Sequence, residues 1–220
     1  LLVLEDKFKR RTIPSALAWD PKAETFLVGR DARKRRGKSP APIESVKRRM
    51  GQTVSIDCGP HKLTPEQVSG KLLSAMKDRM QAFVSTRTQA PFEARVRRAV
   101  ITVPAYFDAP QVEATRAAAE LAGLDAIGIL QEPTAAAIYH TFKRQLGDGN
   151  CLVYDFGGGT FDVSVLRCVA GEYQVLAIDG DNYLGGDDFD RRFAEHLRKI
   201  LVERGYALDL DVRGSDADRR

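Results

Sequence analysis

Apolar and polar positions follow two rhythms along the 220-residue chain, and each change of rhythm marks an element. Near the start, Ala16 to Trp19 and Phe26 to Val28 are short apolar runs on either side of the turn residues Asp20 and Pro21, which predicts a small β region. Thr64-Pro-Glu-Gln67 then has the chemistry of a helix start: a threonine cap, a proline at the first helical position and a glutamine placed to complete a capping box. In the long helix expected next, Val68, Leu72, Leu73, Met76, Met80, Phe83 and Val84 fall near one face, while Lys71, Lys77 and Asp78 lie mostly off it. The methionines are therefore expected in the core.

Arg98 to Val103 reads as a buried strand stopped by Pro104, and Asp108 caps a helix that runs to Gly123. Ile127 to Leu130 repeats the strand, and Pro133 opens a second helix through Ala135, Ala136, Ala137 and Ile138. Cys151 to Phe156 is a third apolar strand, and three glycines follow it directly.

In a phosphate loop or a dinucleotide fold, such glycines lead into a helix. Here Phe161, Val163 and Val165 alternate with Asp162, Ser164 and Leu166, so a strand follows and the glycines form a hairpin tip. Glycines can turn at positive φ and set bare N–H groups against an anion. Asp155 before the tip and Thr160 after it place a carboxylate and a hydroxyl where hydrated magnesium would sit, which favours a Mg-nucleotide over an ordinary turn. A second pair, in Leu184-Gly-Gly-Asp-Asp-Phe-Asp190, ends the strand Tyr173 to Ile178 and opens a helix from about Asp187. Gly37-Lys-Ser39 ends like a phosphate loop, but Ala32 stands at the first glycine position and Pro40 follows at once, so Lys38 is read as solvated.

Composition narrows the classes. Hydrophobic residues at 43% and charged residues at 29% exclude a chain disordered by default. The longest apolar run, Ala135 to Tyr139, is five residues, far short of the ~20 needed to cross a bilayer. Residues 1 to 38 hold eleven Lys and Arg against five Asp and Glu, although the whole chain carries only +4. The clusters Lys7 to Arg11 and Arg33 to Lys38 could attract nucleic acid phosphates. With no zinc finger, RNP-like aromatic motif or helix-turn-helix signature beside them, solvated faces are the better reading and nucleic acid is disfavoured as a partner. Cys58, Cys151 and Cys168 are odd in number and far apart, which suits a reducing compartment and a cytoplasmic location. Without a start methionine or a signal-peptide core, the chain is expected to be truncated.

Five stretches fall in order: Val46-Lys-Arg-Arg-Met-Gly51, Val100-Ile-Thr-Val-Pro-Ala-Tyr-Phe107, Glu132-Pro-Thr-Ala-Ala-Ala137, Asp155-Phe-Gly-Gly-Gly-Thr-Phe-Asp162 and Leu184-Gly-Gly-Asp-Asp-Phe-Asp190. Together they closely resemble the nucleotide-binding domain of the seventy-kilodalton heat-shock chaperones, the DnaK family, over nearly the whole chain. The resemblance implies an α/β actin-like ATPase fold of the ribonuclease H-like type, two-lobed and here incomplete at both ends. It places an outer lobe at 1–90, an inner α/β lobe at 91–148, the second inner half with the phosphate hairpin at 149–184, and the start of the second outer half at 185–220.

The resemblance also implies ATP and ADP with Mg2+ as cofactors, and ATP hydrolysis that drives capture and release of unfolded polypeptide. Lys47 matches the lysine at the γ-phosphate, Glu132 and Asp155 the carboxylates that hold magnesium through water, and Thr160 a hydroxyl near the γ-phosphate. Gly157, Gly158, Gly159, Gly185 and Gly186 match the phosphate-binding glycines, and Asp162 is carried more loosely. Phosphoryl transfer suits this set, because a loose transition state needs positioning and charge more than a strong base. J-domain co-chaperones, a nucleotide exchange factor, a peptide-binding domain outside these residues, a stress-response role and no membrane partner are implied as well. An Asp-x-Gly-Thr-Thr phosphate loop is expected upstream and adenine-binding segments downstream, so these residues alone are expected to be inactive.

Two departures stand out. Val112 occupies the place of an arginine that couples nucleotide state to peptide binding, and a valine cannot make forked hydrogen bonds. Gln131 replaces the usual asparagine before Glu132. A non-hydrolysing interaction module and an actin-like or sugar-kinase relative are the competing readings, and the Glu-Pro-Thr-Ala-Ala-Ala stretch argues against the second of them.

Overall fold

A computed structural model describes residues 3–6, 8–87, 95–144 and 147–206. The chain forms two compact units: Leu1–Ala99 with Glu113–Ile127, and Val100–Val112 with Gly128–Arg220. The architecture is mixed α/β with several small sheets.

In the first unit, β1 (Ala16–Asp20), β2 (Thr25–Val28) and β3 (Ile43–Glu44) form an antiparallel sheet in the order β2-β1-β3. The Asp20 carboxylate accepts the Lys22 N–H at 3.0 Å and holds the predicted turn between β1 and β2. A short helix α1 (Arg30–Arg33) follows β2, and a 3-10 turn (Val46–Arg49) follows β3. The hairpin of β4 (Ile56–Cys58) and β5 (His61–Leu63) leads into α2 (Pro65–Arg87). The capping box at its start is present in both directions: Gln67 N–H donates to the Thr64 hydroxyl at 3.3 Å, and Thr64 N–H to the Gln67 side-chain oxygen at 3.0 Å. Leu17, Ile43, Val46, Ile56, Cys58, Leu63 and Val68 make the core, edged by Trp19, Phe26, Val28 and Leu72.

The α2 stripe is not buried along its length. Met76 is 54% exposed and Met80 37%, against the expectation that both lie in the core. Helical periodicity specifies a face, but only the first turns, through Val68 and Leu72, reach the sheet core. The basic run from Arg33 is likewise not a bare patch. Arg33 and Arg36 both pair with Glu44 on β3, Lys34 pairs with Asp31, and Arg35 donates to the Ser39 carbonyl at 2.9 Å. Gly37 to Ser39 follows α1 as a turn with no strand leading into it, as its sequence context requires. Lys7 of the other cluster lies outside the described residues, while Arg10 and Arg11 pair with Asp6 and Glu5.

Helix α3 (Ala109–Leu121) begins where Asp108 predicts: Gln111 N–H donates to the Asp108 carboxylate at 2.9 Å, and Asp108 N–H to the Gln111 side-chain oxygen at 3.0 Å. It ends at Gly123, whose φ of +66° lets Leu124 N–H return to the Ala119 carbonyl at 2.9 Å. Strands β6 (Arg98–Val103) and β7 (Asp125–Gln131) pair with each other, and among the described residues no third strand joins them. The expectation of a buried β6 is corrected: Val100 is 58% exposed, and only Val103 of the strand is buried. An apolar run records the capacity for burial, and a two-stranded pair covers only one of its faces.

In the second unit, β8 (Gly149–Phe156), β9 (Phe161–Val169) and β10 (Glu172–Asp181) form an antiparallel meander in the order β10-β9-β8. Helix α4 (Glu132–Arg144) packs on all three strands, and α5 (Gly186–Glu203) follows β10.

The β4–β5 turn supplies a stability test. Gly59 has φ +64°, and a Cβ there would stand 2.4 Å from Trp19 Cδ1. Gly59→Ala is expected to destabilise by about 2–4 kcal/mol, from left-handed strain plus overpacking; a lowered urea midpoint with an unchanged slope is the result to look for.

Candidate functional site

The three glycines close a hairpin, as the alternation after them requires. Phe156 pairs with Phe161 and Asp155 with Asp162, and the Gly157 N–H donates to the Thr160 carbonyl at 2.9 Å across the tip. No helix follows Thr160; β9 does. Gly157 and Gly158 lie outside the left-handed region, so the expected positive φ is not how the turn is made.

Glycine is required here for close approach. The second glycine pair lies directly against the first, and a Cβ on Gly185 would sit 2.3 Å from the Gly158 carbonyl oxygen and 2.5 Å from the Gly159 nitrogen. At this contact the Gly186 N–H donates to the Gly157 carbonyl at 3.0 Å and the Asp187 N–H to the Gly158 carbonyl at 2.9 Å. Gly185 N–H is held by the buried Asp188 carboxylate at 2.9 Å, and Arg191 reaches the other oxygen of that carboxylate at 3.2 Å. The first amides of α5, which have no acceptor within the helix, are thus used to lock the tip in place.

Strand β9 presents its polar side inward. Asp162 is 1% exposed and Ser164 0%, with Leu166 and Cys168 buried in the same row, whereas Phe161, Val163 and Val165 are only half-buried. Taken alone, the alternation suggests the reverse, with Asp162 on a solvated strand face. Partners in an antiparallel pair share a face, so the half-buried Asp155 stands beside Asp162 on that covered side. Two carboxylates directly opposite each other repel, and the arrangement favours a cation nearby. Thr160 is buried at the same end. The Ser164 hydroxyl has no hydrogen-bond partner among the described residues.

Glu132 is the first residue of α4, ahead of the buried Pro133 and Thr134. The Thr141 hydroxyl of α4 meets the Tyr173 hydroxyl near the β9–β10 turn, at the end of the sheet away from the glycines. The opposite end of α4, with Glu132, therefore lies toward the glycine tip. Tyr106, just beyond β6, reaches that end as well: its hydroxyl donates to the Asp179 carboxylate at 3.3 Å and approaches the Ile178 carbonyl at 3.4 Å. Partial burial, followed by the Asp179 carboxylate and the charge on Asp162, pushes the Tyr106 phenol above its usual range. Tyr106 and Asp179 have no signal of their own in the sequence, apart from the position of Tyr106 in the Val-Pro-Ala-Tyr-Phe stretch.

Lys47 belongs to the first unit. It sits half-buried in the 3-10 turn between the buried anchors Val46 and Met50, after Ser45 in a left-handed conformation at φ +53°. Among the described residues no three His, Cys, Asp or Glu side chains converge as a protein-only metal site.

The model of the Hsp70 protein family matches residues 1–215. The chain belongs to the Hsp70 family. Among curated members, it is 41% identical to the chaperone protein DnaK of Mycoplasmopsis pulmonis over 92% of this chain and 32% of that protein. It is 38% identical to the DnaK of Ureaplasma urealyticum over 95% of this chain and 33% of that protein. The chain thus spans about a third of the length of the Hsp70 relatives it matches. No helix among the described residues is long and apolar enough to cross a membrane.

Two expected outcomes test this geometry. Gly185→Ala forces the two glycine loops apart and is expected to cost at least about 2 kcal/mol, read as a lowered melting temperature together with faster amide exchange at residues 157–160. For Tyr106, the folded-state pKa lies above the unfolded value of ~10. Its contribution is therefore fully present below that pH and is lost as pH rises through the folded value. The stability of the parent is expected to fall toward that of Tyr106→Phe in alkaline denaturation series.

Proposed function

We propose that this chain is part of the nucleotide-binding domain of an ATP-hydrolysing chaperone. The observation that carries the reading is the pair of glycine loops locked back to back, with Asp155 and Asp162 side by side on the covered face beneath them. In this reading the fold is the two-lobed, actin-like ATPase fold, with the outer lobe drawn from 1–90 and 185–220 and the inner lobe from 91–148 and 149–184. The ligand is ATP or ADP with Mg2+.

The residues present suit that ligand. The Gly157, Gly185 and Gly186 amides are engaged within the protein, so these glycines serve by shape, allowing the tip to be packed from behind. The Gly158 amide, the Gly159 backbone and the Thr160 hydroxyl are the groups assigned to the phosphates, with the positive end of the α5 dipole behind them. Asp155 and Glu132 would hold hydrated Mg2+ through its waters, and Asp162 would add charge to the same side. Bound Mg2+ supplies charge neutralisation of the phosphates, and ATP supplies the phosphoryl group that water accepts. Lys47 contributes a cation for the γ-phosphate and helps to place the attacking water. The buried Val46 and Met50 on either side anchor the turn that carries it. None of these residues needs to act as a strong base, because a loose transition state is served by positioning and charge.

The relatives' name supports the wider reading, in which the full-length protein uses nucleotide state to bind and release unfolded polypeptide. J-domain co-chaperones and an exchange factor act as its partners, and it works in the cytoplasm under stress. The identities of 38–41% to DnaK chaperones favour this over a sugar-kinase relative or a non-hydrolysing module.

Steady-state Mg-ATP turnover of the full-length protein tests the assignment. Lys47→Ala is expected to lower kcat by about a hundredfold or more, on the scale of removing one transition-state charge partner. Asp155→Asn is expected to lower kcat and to raise the Mg2+ concentration required. Wild-type turnover in both variants would overturn the reading.

A further inference from the structure

Val112 leaves the helix after the Val-Pro-Ala-Tyr-Phe stretch without a side chain able to relay by hydrogen bonds, yet the stretch itself is tied down on two sides. On one side, the Gln131 side-chain amide donates to the Ala105 carbonyl at 3.3 Å. Gln131 is the last residue of β7, and Glu132 opens α4 immediately after it. On the other side, the Tyr106 hydroxyl donates to Asp179, and the Asn182 amide reaches the Tyr106 carbonyl at 3.5 Å. Asp179 pairs with Val163, and the next residue, Gly180, pairs with Asp162. Pro104 and Ala105 are buried between the two ties, so the turn they form is held by packing as well as by its ends.

We propose that Gln131 and Tyr106 are positioning residues: a clasp through Ala105 and Asp179 that fixes Glu132 relative to the β9–β10 register carrying Asp162. The proposal rests on the reading of Glu132 and Asp162 as groups of a Mg-nucleotide site. Each link has a chemical reason. A glutamine at 131 carries its amide one methylene farther than the asparagine usual in the family, and that amide meets a carbonyl which, buried on the Pro104 turn, is costly to leave unpaired. A phenol beside a carboxylate gives a charge-assisted hydrogen bond that a phenylalanine cannot make. The tie is consistent with the upward push on the Tyr106 phenol, which comes from partial burial and then from Asp179.

The clasp predicts effects on rate without effects on nucleotide affinity. In the full-length protein, Gln131→Met keeps the side-chain length and removes the donor, and Tyr106→Phe removes the hydroxyl. Each is expected to lower kcat for Mg-ATP by about tenfold with KM nearly unchanged, since small misplacements of catalytic groups cost rate on the scale of ten- to a hundredfold. Tyrosinate absorbance supplies a reading independent of turnover. The phenol missing in Tyr106→Phe should be one that titrates above ~10 in the parent, and Asp179→Asn should lower that midpoint. An unmoved midpoint in Asp179→Asn means that the hydroxyl and the carboxylate are not joined, and the clasp is refuted. Wild-type kcat in Gln131→Met and Tyr106→Phe, alongside lost turnover in Lys47→Ala and Asp155→Asn, refutes positioning and leaves the Mg-nucleotide site standing. Full turnover in all four variants refutes that site, and the positioning role falls with it.

Discussion

The contact between Gly185 and the Gly158 carbonyl is the constraint around which the second unit is organised. A side chain at 185 would place its first carbon 2.3 Å from that oxygen, so the approach exists only for a residue with no Cβ. Because the loops meet backbone to backbone, the α5 amides find acceptors in the hairpin tip and the tip carbonyls find donors in α5. The unmatched groups of a helix end and of a tight turn cancel one another. A turn that would otherwise be a mobile hairpin end is fixed at both of its carbonyls, and it is backed by a helix dipole of the sign that favours anions.

That lock also explains which glycines serve which purpose. Gly157 and Gly186 carry amides already bonded within the protein, and Gly185 is held by Asp188, so none of the three is available to a ligand through its N–H. Gly158 accepts through its carbonyl and keeps its amide out of that contact. Most members of this glycine-rich stretch thus act by letting two backbones touch. The distinction matters for substitution: exchanging one of the packing glycines is expected to damage the fold first, and the chemistry only as a consequence.

Local chemistry was the part of this architecture legible in the residues. The capping boxes at Thr64 and Asp108, the stop at Gly123 and the hairpin before Phe161 all depend on neighbours within a few positions, and each is present in the structure. The order of five motifs identified the family, which the match over residues 1–215 bears out. Burial was less legible, because it depends on what covers a face. Met76 and Met80 follow the helical stripe beyond the reach of the core, and Val100 sits on the open side of a two-stranded pair. Glu44, on β3, pairs with both Arg33 and Arg36 in a way that no reading of the basic run alone would show.

Strand β9 carries the most informative departure from pattern. Alternation alone puts Phe161, Val163 and Val165 inside, yet Asp162 and Ser164 hold the buried row. A fold under selection for stability alone would not set a buried carboxylate opposite a second one, because like charges across a strand pair repel and burial of charge is costly. Such an inversion becomes intelligible where the carboxylates have a task that needs them close together and shielded from bulk water. A hydrated dication answers both penalties at once, since it offsets the repulsion and lends its waters as donors. Tyr106 meets the same strand pair from its other face, since its hydroxyl donates to Asp179, which pairs with Val163, and it adds no further negative charge. The inverted burial of β9 is thus an argument for a cation-dependent site that stands apart from the motif itself, since it follows from accessibility and charge alone.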